Sequence, residues 1–249
     1  MEGERQGEQN DGREGEARLP NVNRSATAPL PPGPGRREPV TLSAMQQDLA
    51  SVLIDRDAIA RRITEVARQI GQDLGPPHPT ATADADATQA AHAARHDGEL
   101  TLVPILTGSI IFVADLIRQL PQRMQIHLMS VSSYPGTATT SQGAKIDQTL
   151  TNVPADLSGR HVLLVDDILD SGNTLRAVTA ELRRRGPASL RTCVLLRKRR
   201  PEALDFPADY VGFDIPDEFV VGYGLDYDDY YRNLPDIGVL RPEVIGQAP

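Results

Sequence analysis

The sequence predicts an α/β fold, a mostly parallel sheet covered on both faces by helices, on three observations. Two short apolar runs, Leu100 to Leu106 and Val162 to Val165, show no period-two alternation and read as strands buried on both faces. Segments of helical periodicity separate these runs from further strand-like ones, and strands alternating with helices imply right-handed crossovers. Finally, small-residue turns stand where a strand end meets a helix start, at Thr107-Gly108-Ser109 and at Ser171-Gly172-Asn173-Thr174. Ligands of open α/β sheets bind at such carboxyl ends.

Each element follows from local pattern. The chain from Met45 enters as a helix or a strand. An amphipathic helix is expected from about Asp57 to Leu74, where Ile59, Ile63, Val66, Ala67 and Ile70 share one face and Asp55 or Asp57 can cap the start. After the strand Leu100 to Leu106 comes a helix from Gly108 to Leu120, then a strand from His127 to Ser133. Val153 to Arg160 is a connection with a Leu-Ser-Gly turn. The run from Val162 leads into a helix from Thr174 to Arg185. Ser189 to Leu196 and Tyr210 to Phe213 are strands, with a short one at Phe219-Val220-Val221. There is no internal repeat.

Composition sets outer bounds. The 249 residues suffice for a sizeable core, yet only 39% are hydrophobic. The shortfall is local. Residues 1–40 are rich in Gly, Glu, Arg and Pro and cannot bury enough apolar surface to offset ordering, so they read as a disordered tail ahead of a domain at 41–249. They have neither the acid-poor composition nor the apolar core of a targeting peptide. The stretch Gly75 to Asp97 reads as a loop insertion. No apolar stretch approaches the ~20 residues that span a bilayer. A net charge of −8 argues against nucleic acid as a partner. The basic cluster Arg197-Lys198-Arg199-Arg200 is the local exception, suited to polyanions or to phosphates within a small-molecule site. The single cysteine, Cys193, reads as an apolar filler in a strand and suits a reducing cytoplasm.

The most informative stretch runs from Val162 to Leu175. Two adjacent carboxylates, Asp166 and Asp167, end the strand, and Asp170 precedes a turn of small residues feeding a helix. Unpaired N–H groups and the dipole at a helix N-terminus favour an anion. The carboxylates want sugar hydroxyls, a divalent cation or a base to protonate. The bland alternative is a plain strand–turn–helix unit with Asp170 or Ser171 as N-cap.

This run resembles the signature of the type I phosphoribosyltransferases, whose fold is a twisted, mostly parallel sheet with a small hood formed by the N- and C-terminal parts. The resemblance implies that Asp166 and Asp167 hold the ribose 2- and 3-hydroxyls of phosphoribosyl pyrophosphate. It also implies that Ser171, Gly172, Asn173 and Thr174 bind its 5-phosphate. Leu106-Thr107-Gly108-Ser109 corresponds to the family's pyrophosphate loop, with Thr107 where a lysine usually stands. Ser133 and Tyr134 open a hydroxyl-rich segment similar to the active-site lid.

From Lys198 through Asp209 to Pro235 the chain is closely similar to the hypoxanthine-guanine phosphoribosyltransferases, and the likeness spans roughly Met45 to Pro242 in order. It implies that Phe219 stacks on a purine, with Val220 and the region of Asp226 at the purine's exocyclic edge. Lys198 then donates to the 6-oxo group, Asp226 reaches Mg²⁺, Arg232 contacts pyrophosphate and Asp170 exchanges a proton at N7. The residue types agree with that chemistry: a π face for a flat base, an ammonium for a carbonyl, a hard carboxylate for Mg²⁺. Tyr223, Tyr227, Tyr230 and Tyr231 are expected in core or interface packing. The implied reaction gives IMP or GMP in purine salvage, in a homodimer or homotetramer. Xanthine stays open as a substrate. An adenine enzyme is disfavoured by Asp170 with Lys198, and an RNA-binding regulator on this fold by net acidity.

Overall fold

The computed structural model describes residues 42–74, 100–132, 145–147 and 151–245. The tail 1–40, the insertion 75–97, Ser133 and Tyr134 lie outside the described residues. The elements in order are α1 (Leu42–Gln47), β1 (Leu49–Ile54), α2 (Arg56–Leu74), β2 (Leu100–Leu106), α3 (Ile110–Ile117), β3 (Met124–Ile126), β4 (Met129–Ser132) and β5 (Lys145–Asp147). They continue with β6 (His161–Leu169), α4 (Asn173–Arg184), β7 (Ser189–Lys198), α5 (Pro201–Leu204), β8 (Tyr210–Ile215), β9 (Val220–Val221) and β10 (Ile237–Leu240).

The central sheet has the order β5-β4-β2-β6-β7-β8, with β3 also paired to β2. All its pairings are parallel except β4 with β5. Strand β6 shows why both faces are covered. Leu163 and Val165 enter one core with Ile59, Ile63 and Ile70 of α2 and Phe112 and Leu116 of α3. Val162 and Leu164 enter the other, against Leu175, Val178 and Leu182 of α4. Alternate residues of one strand thus feed two cores, so every one of the four is apolar. Asp55 caps α2, its Oδ1 accepting the Ala58 N–H at 2.7 Å.

Of the strand expected from His127 to Ser133, Met129–Ser132 forms as β4, and a further strand, β3, precedes it at Met124–Ile126. Pairing on that side of β2 passes from β3, opposite Leu100 to Leu102, to β4, opposite Ile105 and Leu106. Between them lie Val103 and Pro104, and a proline has no N–H for a ladder. The helix expected from Gly108 to Leu120 is shorter at both ends, Ile110–Ile117. Cys193 is fully buried in β7, as expected of a filler, and burial pushes its thiol pKa up.

A second sheet, β1-β10-β9, is antiparallel and joins the two ends of the described domain: Leu49 of β1 faces Leu240 of β10. Met45, Leu49, Val221, Leu234 and Leu240 form its small core. This is the hood. Val220, Tyr223, Leu225 and Ile237 carry it onto the α2–α3 core of the main sheet.

Candidate active site

Strand order reverses between β2 and β6: the chain leaves β2 for β3, β4 and β5 on one side, then returns to β6 on the other. A crevice opens at the carboxyl ends of such a pair. Here it is a cleft of about 350 Å³ lined by Ile105, Leu106 and Gly108 after β2, and by every residue from Asp166 to Leu175. Asp166, Asp167, Asp170, Ser171, Gly172, Asn173, Thr174 and Gly108 therefore share one cavity. Thr107 is exposed beside it.

The turn at 171–174 is built to present backbone. Gly172 occupies the cap position of α4 at φ +78°, left-handed backbone that favours glycine, and brings no side chain to the cap. Gly172, rather than Asp170 or Ser171, is the N-cap, while Ser171 Oγ accepts the Asn173 N–H at 3.5 Å.

Asp166 is only 6% exposed and stands beside Asp167. Burial, reinforced by the neighbouring Asp167 charge, pushes the Asp166 carboxyl well above its ordinary pKa. Asp167 is also pushed up by burial, with opposition from its bond to Asp166, the Ile168 N–H (2.9 Å) and the Arg232 charge. The Asp167 carboxylate lies against Gly108, where a Cβ would stand 1.7 Å from its Oδ2. Gly108 in turn touches the hood: a Cβ on Gly224 (φ +101°) would come within 2.1 Å of the Gly108 carbonyl oxygen. At Gly224 the obstacle is backbone and admits no side chain; at Gly108 it is the end of the Asp167 side chain, which has to move before one fits.

Arg232 donates from Nη1 to the Gly224 carbonyl at 2.9 Å and pairs with Asp226 Oδ1 at 2.8 Å. Asp226 Oδ2 also accepts the Asp229 N–H. Phe219 is 42% exposed and makes a T-shaped contact with Tyr227, ring centroids 5.4 Å apart, while Val220 is buried. Among the other tyrosines, Tyr223 is buried with its hydroxyl on Asp115, and Tyr231 donates to Asp48 at 2.9 Å. Tyr230 is 56% exposed and does not belong to the core.

Lys198, the last residue of β7, reaches Asp170 Oδ2 at 3.2 Å and Asp217 Oδ1 at 3.3 Å. Arg200 reaches Asp170 Oδ1 at 2.7 Å. Three of the four basic residues from Arg197 to Arg200 are therefore ion-paired, since Arg197 is also bonded to Asp214 at 2.6 Å. Reading from sequence gave Arg200 only a place in that patch and gave Asp217 no role. The available signal was position, because both follow the ends of strands that flank or carry Lys198.

Among the described residues no helix is long and apolar enough to cross a membrane. A phosphoribosyl transferase domain matches residues 56–228. The chain is 43% identical over 200 residues to the hypoxanthine-guanine phosphoribosyltransferase of Mycobacterium avium, covering 80% of this chain and 90% of that one. It is 46% identical over 190 residues to the hypoxanthine phosphoribosyltransferase of Salmonella typhimurium, covering 75% and 93%. Among solved structures, a variant hypoxanthine phosphoribosyltransferase of Trypanosoma cruzi in a ternary substrates complex superposes with a TM-score of 0.66 at 39% identity, covering 80% of this chain and 99% of that one. With its cleft at the β2–β6 reversal and its antiparallel hood, the chain belongs to the phosphoribosyltransferase family and, within it, to the hypoxanthine-guanine branch.

Proposed function

We infer that the chain is a purine-salvage transferase that moves the 5-phosphoribosyl group of phosphoribosyl pyrophosphate to N9 of hypoxanthine or guanine, releasing pyrophosphate. The observation that carries this reading is the single cleft shared by two carboxylates, Asp170 and the glycine-capped turn at 171–174. Asp166 and Asp167 hold the ribose hydroxyls and favour positive charge developing at C1. Ser171 to Thr174 take the 5-phosphate through backbone N–H groups and hydroxyls. Thr107 and Gly108 meet the pyrophosphate through backbone, and Arg232 approaches it from the hood side. Phe219, with its exposed face, stacks on the base, and Val220 borders it. Lys198 donates to the 6-oxo oxygen, while Asp170 exchanges a proton with N7. A 6-amino group would set a donor against the Lys198 donor, so adenine is refused. Ser133 and Tyr134 belong to a lid that excludes water.

Magnesium fits this donor set as an ion shared with the substrate. Among the described residues no three His, Cys, Asp or Glu side chains gather around one point. Asp226 offers one hard carboxylate beside Arg232, and Mg²⁺ binds through one or two carboxylates with phosphate and water as further ligands. When bound, the ion draws charge from the pyrophosphate leaving group.

We propose further that residues 1–40 are a dispensable tail and 41–249 the catalytic unit, with 75–97 an insertion. A homodimer or homotetramer is the expected assembly, read by light scattering, and a cytoplasmic setting suits a lone buried thiol. The decisive experiment is a spectrophotometric assay with phosphoribosyl pyrophosphate, Mg²⁺ and, in turn, hypoxanthine, guanine, xanthine and adenine. Turnover of the first two and none of adenine is expected. Turnover of adenine alone would overturn the base assignment, and turnover of xanthine would widen it.

A further inference from the structure

Three parallel strand ends stand side by side at the rim of the cleft. Leu169 of β6 pairs with Arg197 of β7, and Lys198 of β7 pairs with Ile215 of β8. The next one or two residues of each strand therefore share the rim, and they carry charge: Asp170 after β6, Lys198 and Arg200 at the end of β7, Asp217 after β8. The backbone folds tightly at Arg200, whose N–H donates to the Lys198 carbonyl at 2.9 Å. Its side chain returns towards the cleft.

The four side chains close a ring of alternating sign. Asp170 gives Oδ2 to Lys198 (3.2 Å) and Oδ1 to Arg200 (2.7 Å). Asp217 does the same with its own two oxygens, Oδ1 facing Lys198 at 3.3 Å and Oδ2 facing Arg200 at 3.6 Å. Each cation thus touches both acids. Glu202 stands outside the ring, 3.8 Å from Arg200. The Lys198 side chain is 11% exposed and the others are a third to a half exposed.

We propose that Arg200 is the positioning residue of the base subsite, holding Asp170 and Asp217 by their outer oxygens so that their inner oxygens aim the Lys198 ammonium. This rests on the assignment of Lys198 and Asp170 to the base. A lysine ammonium is a point charge on a flexible stem with three rotatable donors. One N–H donates to Asp170 Oδ2 and the ammonium is also ion-paired to Asp217 at 3.3 Å, so its orientation is set before a carbonyl oxygen takes a remaining donor. Without Arg200, no other described residue holds the outer oxygens of either acid in the ring. Both acids are then free to rotate, and Lys198 has to be ordered at the moment the base binds. Ordering a side chain on binding costs affinity, and prior ordering saves it. The effect falls on the base, because no member of the ring is among the residues proposed to hold the donor.

The test compares the full-length wild-type chain with Arg200→Ala, Arg200→Lys, Lys198→Ala and the Arg200→Ala/Lys198→Ala double variant. KM for hypoxanthine and for phosphoribosyl pyrophosphate is measured for each, with calorimetric titration of IMP and a thermal melt. Arg200→Ala is expected to raise the hypoxanthine KM about 5- to 20-fold, the range of coupling within a charged network, with the donor KM within about twofold. Arg200→Lys should recover part of the loss, and Arg200→Ala should add nothing once Lys198 is gone. An unchanged hypoxanthine KM, equal rises for both substrates, or a full additional loss in the double variant overturns the proposal. A wild-type chain that neither turns over hypoxanthine nor binds IMP overturns the assignment beneath it, and the role of Arg200 falls with that. An active wild type with an indifferent Arg200→Ala overturns the role of Arg200 alone.

Discussion

The two turns at the rim of the cleft, 106–109 after β2 and 171–174 after β6, look alike in sequence and are built differently. Both place a glycine among small residues ahead of a helix. At 171–174 the glycine is there for its backbone: Gly172 sits at φ +78° with space around it, and the nearest atom to an added Cβ is 3.4 Å away. At 106–109 the glycine is there for lack of volume. Gly108 has the Asp167 carboxylate on one side and Gly224 of the hood on the other. Ser109, fully buried, donates to the Ile105 carbonyl and ties this turn to β2. One turn is free to accept a ligand on its own account. The other is a junction through which β6, β2 and the hood fix one another. A phosphate loop can therefore be read from local chemistry, whereas a junction shows only when its partners are in place.

Substitutions along the rim should separate the two designs. The largest loss is expected at Asp170, between the turns and the base: Asp170→Asn should cost turnover about 10²–10⁴-fold with donor affinity little changed. Near-normal turnover in steady-state assays would remove Asp170 from proton exchange. Next comes Gly108→Ala. Its Cβ meets the end of a carboxylate that can rotate, so the fold should survive while Asp167 leaves its place. A loss in kcat/KM for the donor of about 10²-fold is expected, close to 3 kcal/mol, with a melting temperature within a few degrees of wild type. Unchanged kinetics would mean that the position of Asp167 is not needed.

The carboxylates themselves give the third comparison. Because burial raises the Asp166 pKa in the folded state, the unfolded chain ionises first and stability falls as pH rises from about 4 towards the folded value. Asp166→Asn removes that penalty. At neutral pH the variant should be more stable by about 1–3 kcal/mol, the cost of one under-satisfied buried polar group, and should bind the donor less well. The gain should vanish below about pH 4, where both states of the wild type are protonated. Denaturant titrations at pH 7 and pH 3.5 read the sign directly, and a variant less stable at pH 7 would mean that Asp166 is compensated in the folded chain.

Gly172→Ala should cost about 1 kcal/mol of stability, from left-handed backbone alone, since the space for a methyl group is present. A loss several times larger would show that this turn is as crowded as its counterpart. Smallest of all, Thr107→Ala should shift donor affinity by less than about 1 kcal/mol, the scale of one neutral hydrogen bond. If Thr107→Ala outweighs Gly108→Ala, the turn after β2 acts through a hydroxyl and the junction account is wrong.

The strands of the central sheet, the helix faces and the motif from Asp166 to Thr174 were legible because each is a local pattern. An unbroken apolar run, a 3.6-residue period and a small-residue turn before a helix are written within about a dozen residues. The same reach explains the errors. The strand expected at 127–133 begins only at Met129 because its partner β2 contains Pro104, some 25 residues earlier, and β10 went unread because its four residues, Ile237–Leu240, acquire meaning only beside β1. Arg200 looked like one member of a basic run until Asp170 and Asp217, 30 and 17 residues away, stood around it.

By itself, then, the sequence determined the fold class, the identity of the cleft-lining carboxylates and the family likeness, since apolar periodicity and turn chemistry act between near neighbours in the chain. Only the tertiary structure decided which atoms meet at the rim. Parallel pairing brings the ends of β6, β7 and β8 to one edge, the hood is a sheet made from the two ends of the folded domain, and the volume at Gly108 is set by Asp167 and Gly224. Register, steric exclusion and ion pairing over such separations depend on distances in space, and those exist only once the sheet has formed.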